Sequence, residues 1–230
     1  MDERYLRGFW KKHIDKNIYR VVPEEYLEEI NKKGIEPDVN PFHEHIPLIK
    51  SLFALLLKLE KGGFGHTRKW GNQIVDAKKI IKVSTTDIDN PYVDFTASYE
   101  KTYYYRNHRG GALVTTIKAI TSDILEKKPT LSKSELKLVN ELHEWAAYKS
   151  SFRNRVLFFK GSSKYFETAH FQMVGSGKKY IESPFGRYEH FKKIIEKNGM
   201  KIYEPYFDDP MKFYLRVVIK IPASEIIKIL

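Results

Sequence analysis

Hydrophobic and polar positions change period several times along this chain. Asn17 to Val22, NIYRVV, is a short strand pattern. Pro23 then opens a helix through EEYLEEINKK. Proline at the first helical position, Glu24 and Glu25 in the first turn, and Gly34 just past the end are its boundary signals. Tyr26, Leu27 and Ile30 form its apolar stripe. IPLIKSLFALLLKLEK is apolar nearly all round and predicts a buried helix stopped by Gly62-Gly63. From Gly62 to Asn90 the pattern is polar and glycine-containing, which predicts a long loop with short strands. Tyr92 to Thr96 reads as a strand, followed by a helix from about Ser98 to Asn107. Ala112 to Ile120, ALVTTIKAI, is the clearest alternation and predicts another strand. Ser132 to Ser150 predicts a helix with a capping box, Ser132 as cap and Glu135 three residues on. Leu136, Val139, Leu142, Trp145 and Ala146 make its stripe. Arg155–Lys160, Ala169–Val174 and Phe213–Ile221 read as strands, and Arg187 to Asn198 as a helix closed by Gly199.

Strands mixed with helices, without regular βαβ alternation, predict an α+β fold with a mostly antiparallel core sheet flanked by helices. No repeat, low-complexity segment or linker composition divides the chain. The expectation is a single domain over residues 1–230 with its core from about 17 to 221. At 230 residues, with 42% hydrophobic and 30% charged positions, one core can bury enough apolar surface without a staple. The chain has no cysteine, which excludes a disulfide scaffold, a thiolate zinc site and a cysteine nucleophile. Leu48 to Leu59 is the greasiest stretch. It carries Lys50 and Lys58 and is shorter than the roughly 20 residues a membrane span requires. MDERYLRGFWKKH has no apolar signal region. A cytoplasmic protein without a membrane partner is therefore expected.

Lys and Arg number 40 against 29 Asp and Glu, a net charge of +11, which suits an anionic partner such as nucleic acid or a phosphate-bearing ligand. The lysines are spread along the whole chain, as they are on solvated helix faces. Aromatic residues make up 14% of the chain; they serve ordinary cores or stack on bases. Walker, dinucleotide-fingerprint, HExxH, nucleophile-elbow and kinase motifs are absent. GSGKK at 175–179 lacks the leading glycine of a Walker loop and reads as a turn. His43 and His45 sit on one side of an extended chain, and a metal would need a third ligand such as His66. No metal site is expected.

Two local patterns carry chemistry when taken together. Ile18-Tyr19-Arg20-Val21-Val22-Pro23 is a strand bearing an arginine, followed by a helix. Asn90 to Glu100, NPYVDFTASYE, is a strand ending in hydroxyl residues before a tyrosine-rich helix. In this order they resemble the ADP-ribosyltransferase fold of the Arg–Ser/Thr–Glu type. That fold opens with a "YR" strand, continues with a hydroxyl-motif strand, and has a glutamate at the start of a later strand. Here Gly161 to Glu167, GSSKYFE, leads into the strand at Ala169. The resemblance spans roughly residues 17 to 221 on three short anchors.

The resemblance implies NAD as substrate and ADP-ribosyl transfer to a protein or nucleic-acid acceptor. Arg20 would bind NAD phosphate or ribose, since a guanidinium grips a pyrophosphate bidentately. Thr96 and Ser98 hold the hydroxyl-motif position. Glu167 is the candidate catalytic glutamate, placed to stabilise an oxocarbenium-like ribosyl centre. Tyr99, Tyr103 and Tyr104 are candidates for sandwiching the nicotinamide. The hydroxyl motif reads Thr96-Ala97-Ser98 where the family normally has Ser-Thr-Ser. The acceptor-selecting position two residues before the glutamate is Tyr165. Glu182 and Glu189 are alternative glutamates, although Glu182 precedes Ser183-Pro184, which reads as a turn. Two other classes compete. One is a non-catalytic nucleic-acid-binding protein using Arg68, Lys69, Trp70, Arg106, Arg109, Arg153 and Arg155. The other is an inactive member that kept the fold and lost the chemistry. Taken singly, Arg20 also suits a strand-surface ion pair, Thr96 and Ser98 suit helix caps, and Glu167 suits a solvated loop.

Overall fold

In the computed structural model, β1 (Asn17–Pro23) lies between β4 (Val93–Thr96) and β5 (Asn154–Lys160). The structure describes residues 4, 8, 17–36, 41–70, 73–89, 93–96, 98–161, 170–173, 183–184, 213–217 and 219–230. They belong to two compact units. One takes residues 1–38, 92–107 and 154–230; the other takes 39–91 and 108–153.

The first unit holds an antiparallel seven-stranded sheet. Its remaining strands are β6 (His170–Met173), β7 (Ser183–Pro184), β8 (Phe213–Val217) and β9 (Ile226–Ile229), in the order β7-β6-β8-β4-β1-β5-β9. β1 is rich in β-branched and aromatic residues, which fit a pleated, half-buried surface. It pairs with β5 along its whole length, from Asn17 opposite Lys160 to Pro23 opposite Asn154. Side chains alternate across the sheet. Ile18 and Val22 turn one way, with Leu157 and Phe159 of β5 and Phe95 of β4. All five are buried, and the Phe95 and Phe159 rings meet edge to face at 5.2 Å. β9 closes one edge. Val156 and Leu230 exchange both backbone hydrogen bonds, and a bulge at Phe158/Phe159 shifts the register.

After β1, a 3-10 turn at Glu24–Tyr26 leads into helix α1 (Leu27–Lys33). Gly34 ends it at φ +79°. A Cβ there would stand 2.0 Å from the Ile221 carbonyl oxygen, so only glycine lets Ile35 pair with Ile221.

The second unit is helical: α2 (Ile46–Lys61), α3 (Ala77–Asp89), α5 (Gly111–Lys127) and α6 (Lys133–Lys149), with a hairpin of β2 (Thr67–Trp70) and β3 (Gln73–Asp76). Helix α4 (Lys101–Arg106) belongs to the sheet unit. The helical core gathers Leu52 and Leu56, Ile117, Ile120 and Ile124, and Val139, Leu142 and Ala146. α6 carries the capping box expected of it, with Ser132 and Glu135 satisfying each other's backbone N–H groups.

Several sequence expectations need correction. Ala112 to Ile120 is not a strand but lies inside α5. Its β-branched residues imitate alternation, yet the buried positions Val114, Ile117, Ile120 and Ile124 follow a helical period. Thr115, Thr116 and Thr121 donate their hydroxyls to carbonyls four residues back, which accommodates them in a helix. Residues 62–90 are not a long loop. They hold the hairpin and α3, whose buried stripe of Ala77, Ile80, Ser84 and Ile88 is partly polar. α4 is shorter than expected because Ser98 to Glu100 form the turn before it. Ser183-Pro184 pairs with β6 at the sheet edge, where proline's missing N–H is tolerated. β8 ends at Val217, and β9 continues the sheet beyond the core limit expected at 221. The helix expected at Arg187–Asn198, the 175–179 turn and the glutamates Glu167, Glu182 and Glu189 lie outside the described residues. Among the described residues no helix is long and apolar enough to cross a membrane.

Candidate functional site

β1 and β4 are neighbours, and Tyr19 stands opposite Thr96. The pleat sends Tyr19 and Arg20 to opposite faces of the sheet. Arg20 goes to the face that holds Ile18 and Phe159. Its guanidinium lies 5.8 Å from the Phe95 ring centre, and Nη1 donates to the Asp94 carbonyl at 2.8 Å. Burial pushes the guanidinium below its ordinary value, and the Asp94 carboxylate partly restores it. Arg20 is thus held within the sheet and ties β1 to β4.

Thr96 and Ser98 stand at the end of β4, 4% and 5% exposed. The Ser98 N–H donates to Thr96 Oγ1 at 3.1 Å, and the Lys101 N–H donates to Ser98 Oγ at 3.2 Å. Both hydroxyl oxygens therefore shape the turn that starts α4. Short hydroxyl side chains favour this local bonding. Thr102 adds a hydroxyl hydrogen bond to the Tyr99 carbonyl.

The face that carries Tyr19 is aromatic. The Tyr99 ring centre lies 5.5 Å from Tyr19, 5.7 Å from Phe158 and 5.9 Å from Tyr103, and Tyr19 meets Phe158 edge-on at 5.0 Å. Arg106 closes the group. Its Nη2 donates to the Tyr99 hydroxyl at 2.8 Å, and its guanidinium carbon lies 5.3 Å from the Tyr99 ring centre and 5.0 Å from that of Tyr103. Among the described residues Arg106 Nε is buried without a hydrogen-bond partner. Asn154 holds the end of α4 to β5 by donating to the Tyr105 and Arg106 carbonyls. On the other side, Lys228 of β9 stands opposite Phe158, its ammonium 5.9 Å from the ring centre. Burial, then the neighbouring Tyr99, push the Tyr19 phenol up. Tyr103 and Tyr104 are 56% and 60% exposed.

The structure thus brings Thr96, Ser98, Tyr99 and Tyr103 together and sets Arg20 on the other face. Arg106 was weighed in the sequence only as one basic residue among several. The signal that marks it out is spacing: Tyr99, Tyr103 and Arg106 stand four and three residues apart, as on one face of a helix. The other basic candidates separate. Arg68, Lys69, Trp70, Arg109 and Arg153 belong to the helical unit, Arg106 and Arg155 to the sheet unit. Arg68 donates to Thr116 Oγ1 at 2.8 Å, and Arg155 pairs with Glu24 at 3.4 Å.

The histidines are dispersed. His45 stacks on Trp145 at 4.9 Å, and His43 lies 3.9 Å from Glu44. His66 is buried, with Nδ1 2.7 Å from Asp123 Oδ2, a contact between residues 57 positions apart that no local pattern announces. Burial pushes the Asp123 carboxyl up, but His66 and Lys127 outweigh it and hold the group below its ordinary value. Among the described residues no three His, Asp or Glu side chains gather as a metal site.

Comparison with protein-family models, with curated proteins and with solved structures returns no match for this chain.

Proposed function

We propose that the sheet unit binds NAD and transfers its ADP-ribosyl group to an acceptor. The observation that carries this is the adjacency of the arginine strand and the hydroxyl strand, with Tyr19 opposite Thr96 at the head of a tyrosine-lined turn. This adjacency supports the reading, although the Arg20 side chain lies on the opposite face from Thr96.

In this reading Arg20 is a positioning residue. It holds β1 against β4 through the Asp94 carbonyl. Thr96 and Ser98 fix the turn that presents Tyr99 and Tyr103, and the exposed Tyr103 ring stacks on the nicotinamide. The bond from nicotinamide to the ribose breaks, nicotinamide leaves, and the acceptor nucleophile bonds to the same ribose carbon and loses its proton. The transition state is oxocarbenium-like, and a carboxylate beside the ribose stabilises its positive charge. Glu167 supplies that carboxylate in this reading.

Calorimetric titration of NAD into the purified chain tests the proposal. Saturable binding is expected, weakened by Tyr99→Leu. Glu167→Gln is expected to keep binding and to lose nicotinamide release with an acceptor. Absence of binding up to millimolar NAD would overturn the proposal, and full turnover by Glu167→Gln would remove the glutamate from it.

A further inference from the structure

We infer that the aromatic face of the sheet, with Arg106 at one side and Lys228 at the other, is a stacking platform for single-stranded nucleic acid. This goes beyond NAD binding and does not depend on it.

Three features of the face point the same way. First, the strand register sets residues in a row across the sheet. Thr96 of β4 stands opposite Tyr19 of β1, Tyr19 opposite Phe158 of β5, and Phe158 opposite Lys228 of β9. At about 4.8 Å per strand the row spans roughly 14 Å. Aromatic residues on the open face of a sheet stack about two or three bases in this way.

Second, the rings remain accessible. Tyr19, Tyr99 and Phe158 are only half-buried, and Tyr103 is more than half exposed. Val156 and Thr96 on the same face are buried, so the accessible part of it is Tyr103, Phe158 and Lys228.

Third, among the described residues Arg106 and Lys228 form no ion pair with an acid. Elsewhere in the same unit Lys32 pairs with Glu28, Lys33 with Glu29, Lys220 with Glu36 and Arg155 with Glu24. Among the described residues Arg106 and Lys228 have no such pair and lie against rings instead. A buried guanidinium N–H left without an acceptor costs free energy, and Arg106 Nε is one.

The occupant follows from this chemistry. It has to offer planar rings to Tyr103 and its neighbours, and anionic oxygens to Arg106 and Lys228. An apolar peptide would not use the cations. A duplex keeps its bases stacked inside. A single strand offers both groups at once, and a chain of net charge +11 attracts it at long range.

Fluorescence anisotropy of the full chain with labelled 12-mers of oligo(U), oligo(dT) and a matching duplex tests the inference. Both single strands are expected to bind better than the duplex at low salt, and the RNA-to-DNA ratio tells which strand the site takes. Tyr103→Leu is expected to weaken binding about tenfold. Arg106→Gln and Lys228→Gln are each expected to lower the slope of log affinity against log salt by about 0.7. Lys32→Gln, a cation paired to an acid away from the rings, should change neither. Lys228 and Tyr103 are exposed, so their variants report binding even if Arg106→Gln folds poorly. No single-strand binding at low salt would overturn the inference. So would duplex binding equal to single-strand binding, or variants indistinguishable from wild type. NAD binding is measured separately, so either proposal can fail while the other stands.

Discussion

Arg20 and Arg106 show how differently one sheet unit treats the same side chain. Arg20 is turned into the packed face, over Phe95, and donates to the Asp94 carbonyl. Arg106 lies on the aromatic face between Tyr99 and Tyr103, with one N–H unsatisfied. An arginine whose partners are supplied internally serves the fold. One that rests on rings with a donor left over is the one our inference assigns to an anionic partner. Identity alone separates neither role, and the pleat of one strand decides which face each neighbouring side chain joins.

The largest effects should fall on the packed face. Phe159→Ala empties a fully buried position and is expected to cost about 3–5 kcal/mol, read from urea unfolding. A loss as small as that from Tyr103→Leu, on the open face, would break the contrast between the two. Arg20→Met should come next. It removes the tie to the Asp94 carbonyl, with an expected loss of roughly 1–3 kcal/mol. Oligonucleotide affinity should stay unchanged. Arg106→Gln removes the hydrogen bond to the Tyr99 hydroxyl and should cost about 1 kcal/mol, and binding should become weaker and less salt-sensitive. Parallel losses of stability and binding in both variants would show that the arginines share one role.

Smaller effects sharpen the comparison. Ser98→Ala removes the acceptor for the Lys101 N–H and should destabilise by about 1 kcal/mol in thermal melts. Because that turn presents Tyr99, single-strand binding should weaken with it. In the helical unit, Lys58 and the Ser132 backbone hold the Glu135 carboxyl down at about 2. A depressed folded-state value means the stabilisation is fully present above the ordinary carboxylate range and is lost as pH falls towards about 2. Acid titration of Glu135→Gln against wild type should therefore show curves that differ above about pH 4 and converge near 2. Curves that stay parallel through that window would mean the ion pair contributes nothing.

Much of the local structure was legible in the sequence. β1 and β5 announce themselves through β-branched and aromatic runs, α2 through its length and apolar character, and α6 through Ser132 and Glu135. Gly34 was legible as a helix stop. The close approach of the Ile221 carbonyl that also demands glycine there, 187 residues away, was not. α5 was misread because threonine and isoleucine have strand preferences, while hydroxyl bonds to the helix backbone and burial against α6 override them. Of the candidate site, the tyrosines and hydroxyls were found through the order of strands and helices. Arg106 was underweighted because its significance depends on rings from α4 and on the sheet they cover.

Composition and periodicity by themselves determined an antiparallel sheet flanked by helices, the ends of several helices, and a strongly basic chain. These follow from side-chain chemistry and backbone preference within a few residues. The tertiary structure alone decided that Tyr19 joins Phe158 and Tyr99 while Arg20 joins Phe95. A strand sends successive side chains to opposite faces, and only pairing with β4 and β5, more than 70 residues away, determines what waits on each face.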